Sequence, residues 1–304
     1  MVDSAASAVD LVADQPLGEG WSHLDKRMVA QLIQTQNPSF RSVRPLIWDG
    51  SDLRKQIAHG LETTLKHDFC WSLTFSPLFM AQLVYEGFLP ICAELGGGTG
   101  LWLLMPKWHV QRCTMRFSDA HVSKSAKKRA RRFRLTVDQE FDQVVDRCVE
   151  QHGENWLYPP MRKAFCALHH WGAARGGIAS TAGASTDEDT GDDVLGAVQF
   201  HSFELWQGSE LVAGEFGATV GAVYTSFTGF YSVSGAGTVQ LLAMASLLSD
   251  CGYDFWDLGQ ELKYKLDLGA RLLPRVEFLA AFREARVRTP RELNTVPLPD
   301  SVSL

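Results

Sequence analysis

FHSFELWQGSELVAGEFGATVGAVYTSFTGFYS, from Phe200 to Ser232, decides the fold. Val198 to Trp206 alternates apolar and polar residues at period two, and Gln207-Gly208-Ser209 is a turn. Leu211 to Val220 and Ala222 to Tyr231 follow as further strands around Gly221. Toward its end the stretch changes into small and aromatic residues, and an apolar helix is expected over Gly237 to Leu248. Tyr253 to Asp257 reads as another strand and Pro274 to Arg283 as a closing helix. Such a succession buries its apolar faces best as a mixed sheet with helices packed on it. In open sheets of this type a ligand binds where strand ends diverge.

Working outward, Val137 to Val149 and Pro159 to Gly172 read as helices, and Val110 to Phe117 and Leu101 to Leu104 as strands. Ser76-Pro77 begins a helix with a serine cap and a proline in the first turn, ended by Gly87. Leu53, Ile57, Leu61 and Leu65 give one amphipathic helix over Asp52 to Lys66. The expected organisation is a mostly flexible tail over 1–45, a small N-terminal α/β domain over 46–120 and a larger domain over 121–290. A disordered acidic Gly/Ala/Ser/Thr insertion is expected over 173–193, and a second tail over 291–304.

Composition narrows the function. With 29 Lys and Arg against 35 Asp and Glu, the net charge of −6 rules out a uniformly basic nucleic-acid binder. A local patch remains open, and SKSAKKRARRFR supplies one: Lys124, Lys127, Lys128, Arg129, Arg131, Arg132 and Arg134. Clustered cations gain from counterion release at phosphate, while the alternative is a solvated basic helix. Cys70, Cys92, Cys113, Cys148, Cys166 and Cys251 form no CxxC pair, so free thiols in a reducing compartment are expected, with neither disulfides nor a zinc site. His169, His170 and His201 lack acid or thiol at ligand spacing, and no metal is expected. No apolar run approaches the ~20 residues of a membrane span, and the acidic start is unlike a targeting peptide. The expectation is a cytoplasmic monomer with no membrane contact.

Five collinear segments carry a resemblance: SPLFMAQLVYEGFLP (76–90), AHVSKSAKK (120–128), NWLYPPMRKAFCALHHWG (155–172), HSFELWQGSELVAGEFG (201–217) and LGARLLPR (268–275). Over roughly residues 70–285 the chain resembles the leucyl/phenylalanyl-tRNA–protein transferases. The resemblance implies an α+β chain whose catalytic half has an acetyltransferase-like (GNAT) fold. It implies transfer of an amino acid from the 3′ end of aminoacyl-tRNA to the N-terminal amine of an acceptor protein, marking it for degradation. No cofactor is implied beyond the aminoacyl-tRNA co-substrate. The ester is already activated, so positioning the amine supplies much of the rate. An acceptor for the ammonium proton and donors to the oxyanion complete the requirements.

The resemblance also implies residue roles. Asp257 matches a catalytic aspartate, with capping of the next segment as its structural alternative. The family's glutamine two residues on is Gly259 here, and Gln260 is the candidate substitute. The basic segment contacts the acceptor stem, and Trp102 and Trp156 stand where tryptophans lie near the terminal adenosine, with core packing as their alternative. Glu215, Phe216, Phe227, Thr228 and Phe230 form the aminoacyl and acceptor pocket, with core packing as the alternative for Phe216 and Phe230. Phe227 replaces a glutamate that receives a basic acceptor residue, and with Lys263 and Lys265 nearby a less basic acceptor would fit. Glu215 replaces an apolar residue lining the pocket for the transferred side chain. Either the pocket takes a polar or basic aminoacyl group, or Glu215 turns to solvent. A CoA-dependent N-acyltransferase is the second reading, because Gly235-Ala236-Gly237 opens a helix as a phosphate-cradling loop does, although Ser232 stands where that loop begins with arginine or glutamine. A non-catalytic tRNA- or degron-binding derivative is the third.

Overall fold

The computed structural model describes residues 22–48, 51–96, 100, 102–174, 191–293, 301–302 and 304. It separates into two compact units, 1–110 with 154–165, and 111–153 with 166–304.

The first unit contains helices α1 (His23–Gln36), α2 (Ser39–Ser42), α3 (Ser51–Ala58), α4 (Leu61–Thr64) and α5 (Pro77–Tyr85), and the antiparallel pair β1 (Cys92–Glu94) and β2 (Trp102–Leu104). Its helix α1 lies inside the stretch expected to be a loose tail. It is set by a capping box, with the Ser22 hydroxyl accepting from the Asp25 amide and the Asp25 carboxylate accepting from the Ser22 amide. The single helix expected over Asp52 to Lys66 is instead two, because Gly60 adopts φ +87° and breaks the run. Ser76 caps α5 as expected, accepting from the Phe79 amide at 3.3 Å. The core gathers Ala30, Ile33, Trp71, Leu73 and Leu103.

The second unit is built on a seven-stranded sheet in the order β4-β5-β6-β7-β8-β3-β9. Its strands are β3 (Gln111–Met115), β4 (Arg134–Val137), β5 (Val198–Gln207), β6 (Glu210–Val220), β7 (Val223–Tyr231), β8 (Phe255–Gly259) and β9 (Arg271–Pro274). Its helices are α6 (Lys124–Ala130), α7 (Phe141–His152), α9 (Gly191–Ala197), α10 (Ala236–Cys251), α11 (Lys263–Leu268) and α12 (Arg275–Ala285); α8 (Pro159–Ala174) begins in the first unit and ends in this one. Strand β3 pairs with both β8 and β9, which places the boundary before residue 111 rather than at 120. Strands β4 and β9 are short and were not expected. Residues 173–174 end α8 and 191–193 begin α9, while the remainder of the insertion, and of the tails, lies outside the described residues.

Asp138, expected near a helix start, precedes α7 in a left-handed conformation, φ 58°. Its carboxylate accepts from the Ser202 amide at 2.9 Å and meets His201 Nδ1 at 2.7 Å. These bonds tie the β4–α7 turn to β5 and compensate an unfavourable backbone. Burial alone would raise the Asp138 carboxyl, but the His201 ring and the Ser202 amide more than reverse this and hold it below its usual range.

Candidate active site

The site begins at a fork. Strands β7 and β8 are the parallel pair among the described strands, joined over Val223–Thr225 against Phe255–Asp257. Beyond those residues β7 runs on to Tyr231 beside β6, while β8 continues beside β3. The sheet therefore opens at the C-terminal ends of both strands, and Ser226–Gly229 become half-exposed. A bulge turns the β7 edge at this point: Phe216 pairs with Thr228 and Gly217 with Ser226, leaving Phe227 as the extra residue.

Asp257 sits at the crotch of the fork and is fully buried. Arg112 Nε donates to Oδ1 and Nη2 to Oδ2, each at 2.7 Å. Thr225 Oγ1 donates to Oδ2 and the Gly259 amide to Oδ1, both at 3.0 Å. The Arg112 guanidinium in turn lies 4.8 Å over the Phe278 ring of α12. This is a two-pronged, desolvated ion pair that ties β3, β7 and β8 together. Both oxygens of the carboxylate are thus occupied by donors from three strands. Gly259 adopts φ +74° while its amide serves Asp257, a conformation that a glutamine there would adopt only under strain. Gln260 is exposed, and its carbonyl accepts from Lys265 Nζ at 3.2 Å.

Glu215 lies on the other face of the sheet. Its side chain is buried, at 6% exposure, so the reading in which it turns to solvent is overturned. Oε1 accepts from the Tyr224 hydroxyl at 3.2 Å and from the Ser226 hydroxyl, and Trp256 Nε1 donates to Ser226 Oγ at 2.6 Å. Burial raises the Glu215 carboxyl from its ordinary 4.5 to about 7 against the opposing pull of these bonds and of Lys265. Gly217 makes the Tyr224 bond possible: a Cβ there would stand 2.6 Å from the Tyr224 hydroxyl oxygen. Lys265, placed by its sequence near the acceptor site, is buried. Its ammonium donates to the Leu258 and Gln260 carbonyls, and burial lowers its pKa. Lys263 does face solvent and pairs with Asp267 at 2.8 Å.

The expected aromatic pocket is thereby divided. Phe216 follows Glu215 on one strand and points to the opposite face. There it meets Phe141 of α7 at 5.8 Å and Phe227 at 5.9 Å, both edge-on. Phe230 is buried on this face beneath Arg147, whose guanidinium carbon lies 5.4 Å from the ring centre. Thr228, paired with Phe216, is half-exposed.

The basic segment forms α6, capped by Ser123, whose hydroxyl accepts from the Ala126 amide at 3.2 Å. Ala126 and Ala130 face the core, while Lys124, Lys127, Lys128, Arg131 and Arg132 are exposed. Arg129 is half-buried and folds back onto Ser125, its Nη2 donating to the hydroxyl at 3.2 Å. In the first unit, Trp102 pairs across β1 with Glu94, and the Trp156 carbonyl accepts from the Cys92 amide at 3.1 Å. The two tryptophans are thus at opposite ends of one short strand. Both rings are half-buried, Trp102 6.3 Å from Tyr158 and Trp156 6.5 Å from Phe165. A separate open groove of about 430 Å³ in the second unit is lined by Arg116, Phe117 and Arg271 among others, and not by Asp257 or Glu215.

A family model described as leucyl/phenylalanyl-tRNA protein transferase matches residues 114–283, more than half of the chain. The chain belongs to this family. A leucyl/phenylalanyl-tRNA–protein transferase of Nitratidesulfovibrio vulgaris (strain DP4) is 29% identical over 194 residues, covering 62% of this chain and 71% of that protein. A protein of the same name from Legionella pneumophila (strain Lens) is 28% identical over 54% of this chain and 64% of its own length. One from Paracoccus denitrificans (strain Pd 1222) is 27% identical over 60% and 74%. The solved C-terminal (DUF2156) domain of a lysylphosphatidylglycerol synthetase from Agrobacterium fabrum covers 80% of both chains at 10% identity, with a TM-score of 0.38, too low to carry a fold assignment.

Within this leucyl/phenylalanyl-tRNA protein transferase family match lie both acids, the fork and the basic helix. The sequence had pointed to Asp257 and Glu215 but not to the groups that hold them. Arg112 is 145 positions from Asp257 and lies outside the matched residues, so nothing local announces their pairing. Tyr224, Thr225 and Ser226 read as ordinary strand residues. The one available signal was a run of hydroxyl-bearing side chains just where the strand stops being apolar.

Proposed function

We propose that this chain is an aminoacyl-tRNA–protein transferase, moving an aminoacyl group from the 3′ end of tRNA to the N-terminal amine of an acceptor protein. The supporting observation is that the family match spans a sheet opening between parallel strands, the kind of place where such folds bind ligands. The same opening supports the acetyltransferase-like reading of the fold. In the reaction the amine nitrogen attacks the ester carbonyl, the bond to the ribose oxygen breaks and an amide forms. The ribose oxygen ends with a proton and the amine loses one. Orientation carries most of the work, because the ester is already reactive.

In this reading the exposed cations of α6 and of the turn after it hold the acceptor stem. Asp257 acts as a positioning residue: with Arg112 and Thr225 it fixes where β7 and β8 part. Gln260, exposed just beyond, is the side-chain donor we assign to the developing oxyanion. Phe227 in place of an acid fits an acceptor whose first residue is less basic. The test supplies tRNAs charged with labelled amino acids and peptides varying at the first residue. Labelled peptide, lost on RNase treatment, is expected. Acetyl-CoA turnover indifferent to RNase, or tRNA binding with no product from any charged tRNA, would overturn the reading.

A further inference from the structure

Glu215 is a buried acid that forms no ion pair among the described residues. Both of its protein hydrogen bonds go to Oε1, and none is made by Oε2 among the described residues. The titratable groups acting on it are Tyr224 on β7, Tyr264 and Lys265 on α11 and Cys148 on α7. Of these Lys265 alone is a cation, and its ammonium is turned to the Leu258 and Gln260 carbonyls. A carboxyl taken out of water either keeps its proton or, when ionised, calls for an opposite charge close by. The opposing residue on β7 is Gly229, which presents no side chain toward it, and Ser226–Gly229 form the half-exposed lip of the fork. The missing charge therefore fits a ligand entering at that lip.

We propose that Glu215 recognises a cationic side chain, of the lysyl or arginyl class, on the amino acid being transferred. This rests on the transferase reading. The reacting ester must stay at the opening, where an acceptor amine can reach it from solvent. A carboxylate buried beneath the lip suits instead the group carried furthest from the ester, the end of a long side chain. Pairing there gives Oε2 the charge it lacks while Tyr224 and Ser226 keep Oε1 in place. Gly217, by admitting the Tyr224 ring, keeps the carboxylate aimed.

The experiment measures kcat/KM for tRNAs charged with leucine, phenylalanine, methionine, glutamine, lysine and arginine, with a panel of acceptor peptides, for the wild type, Glu215→Gln and Glu215→Met. Lysyl or arginyl transfer is expected to exceed leucyl and phenylalanyl transfer. The basic-to-apolar ratio should fall by about 30-fold or more in Glu215→Gln, as for loss of one partner of a buried charge pair, and Glu215→Met should invert the preference. In the wild type, basic transfer should rise with pH through neutrality more steeply than leucyl transfer, as Glu215 ionises, and in Glu215→Gln only the rise from the acceptor amine, common to every amino acid, should remain. Leucyl or phenylalanyl transfer preferred by the wild type, or an equal loss for every amino acid in both variants, overturns the inference and leaves the transferase reading standing. No transfer from any charged tRNA overturns both.

Discussion

Two acids two strands apart meet opposite electrostatic fates. Asp257 is desolvated but answered on both oxygens, whereas Glu215 is desolvated and answered by hydroxyls alone. Removing one member of a buried pair leaves the other uncompensated, so Asp257→Asn should lower the unfolding free energy by roughly 3–5 kcal/mol, read by denaturant titration. Adding Arg112→Met should cost less than the sum of the two single changes, because the stranded guanidinium is then gone. For Glu215 the sign is reversed. Its folded pKa is raised from 4.5 to about 7, so between those values the native chain holds a proton that the unfolded chain has released. Stability should therefore decline as pH rises through that window, by up to roughly 3 kcal/mol, and level off above it. Glu215→Gln should abolish this component and melt higher than the wild type at pH 8. A wild-type and variant difference independent of pH would contradict the assignment.

At the scale of elements, the fork depends on close backbone approach between β6 and β7. A methyl on Gly217 would stand 2.2 Å from the Thr225 carbonyl oxygen, a backbone atom with little room to withdraw. Gly217→Ala should destabilise the protein by about 1–3 kcal/mol through overpacking and detach Tyr224 from Glu215. A melt near the wild-type temperature, with the Glu215 pH dependence intact, would show that the strands absorb the methyl. Period-two alternation made β5 legible in advance, and the turns at Gln207-Gly208-Ser209 and Gly221 set off β6 and β7, although β6 is buried from Leu211 to Val220. What it could not show is the bulge at Phe227, which depends on register between strands rather than on either strand alone. The bulge matters because it sets Phe227 with Phe216 on the face away from Glu215, separating residues that sequence proximity had grouped as one pocket. Similarly, β4 and β9 are too short to show a period, and a single glycine turned the helix expected over Asp52 to Lys66 into two.

For the whole molecule, the decisive contrast is between a net charge of −6 and the exposed cations Lys124, Lys127, Lys128, Arg131 and Arg132 presented by one short helix and the turn after it. An acidic body repels phosphate everywhere except at such a patch, so nucleic acid should approach in a restricted orientation. Two consequences separate an RNA contact from a merely solvated face. Observed tRNA affinity should fall steeply with salt, since each phosphate neutralised releases counterions. The slope of log affinity against log salt should also shrink by about 0.7–0.9 for each contacting cation replaced. Replacing the five exposed residues by alanine, with Ala126, Ala130 and the Ser123 cap left intact, keeps the helix's buried side and its first turn unchanged. The variant should then melt close to the wild type while its binding, measured by filter retention or anisotropy across a salt series, becomes weak and nearly salt-independent. If the slope is unchanged instead, the phosphate contacts lie elsewhere, and the groove bearing Arg116 and Arg271 is the next cationic surface to neutralise.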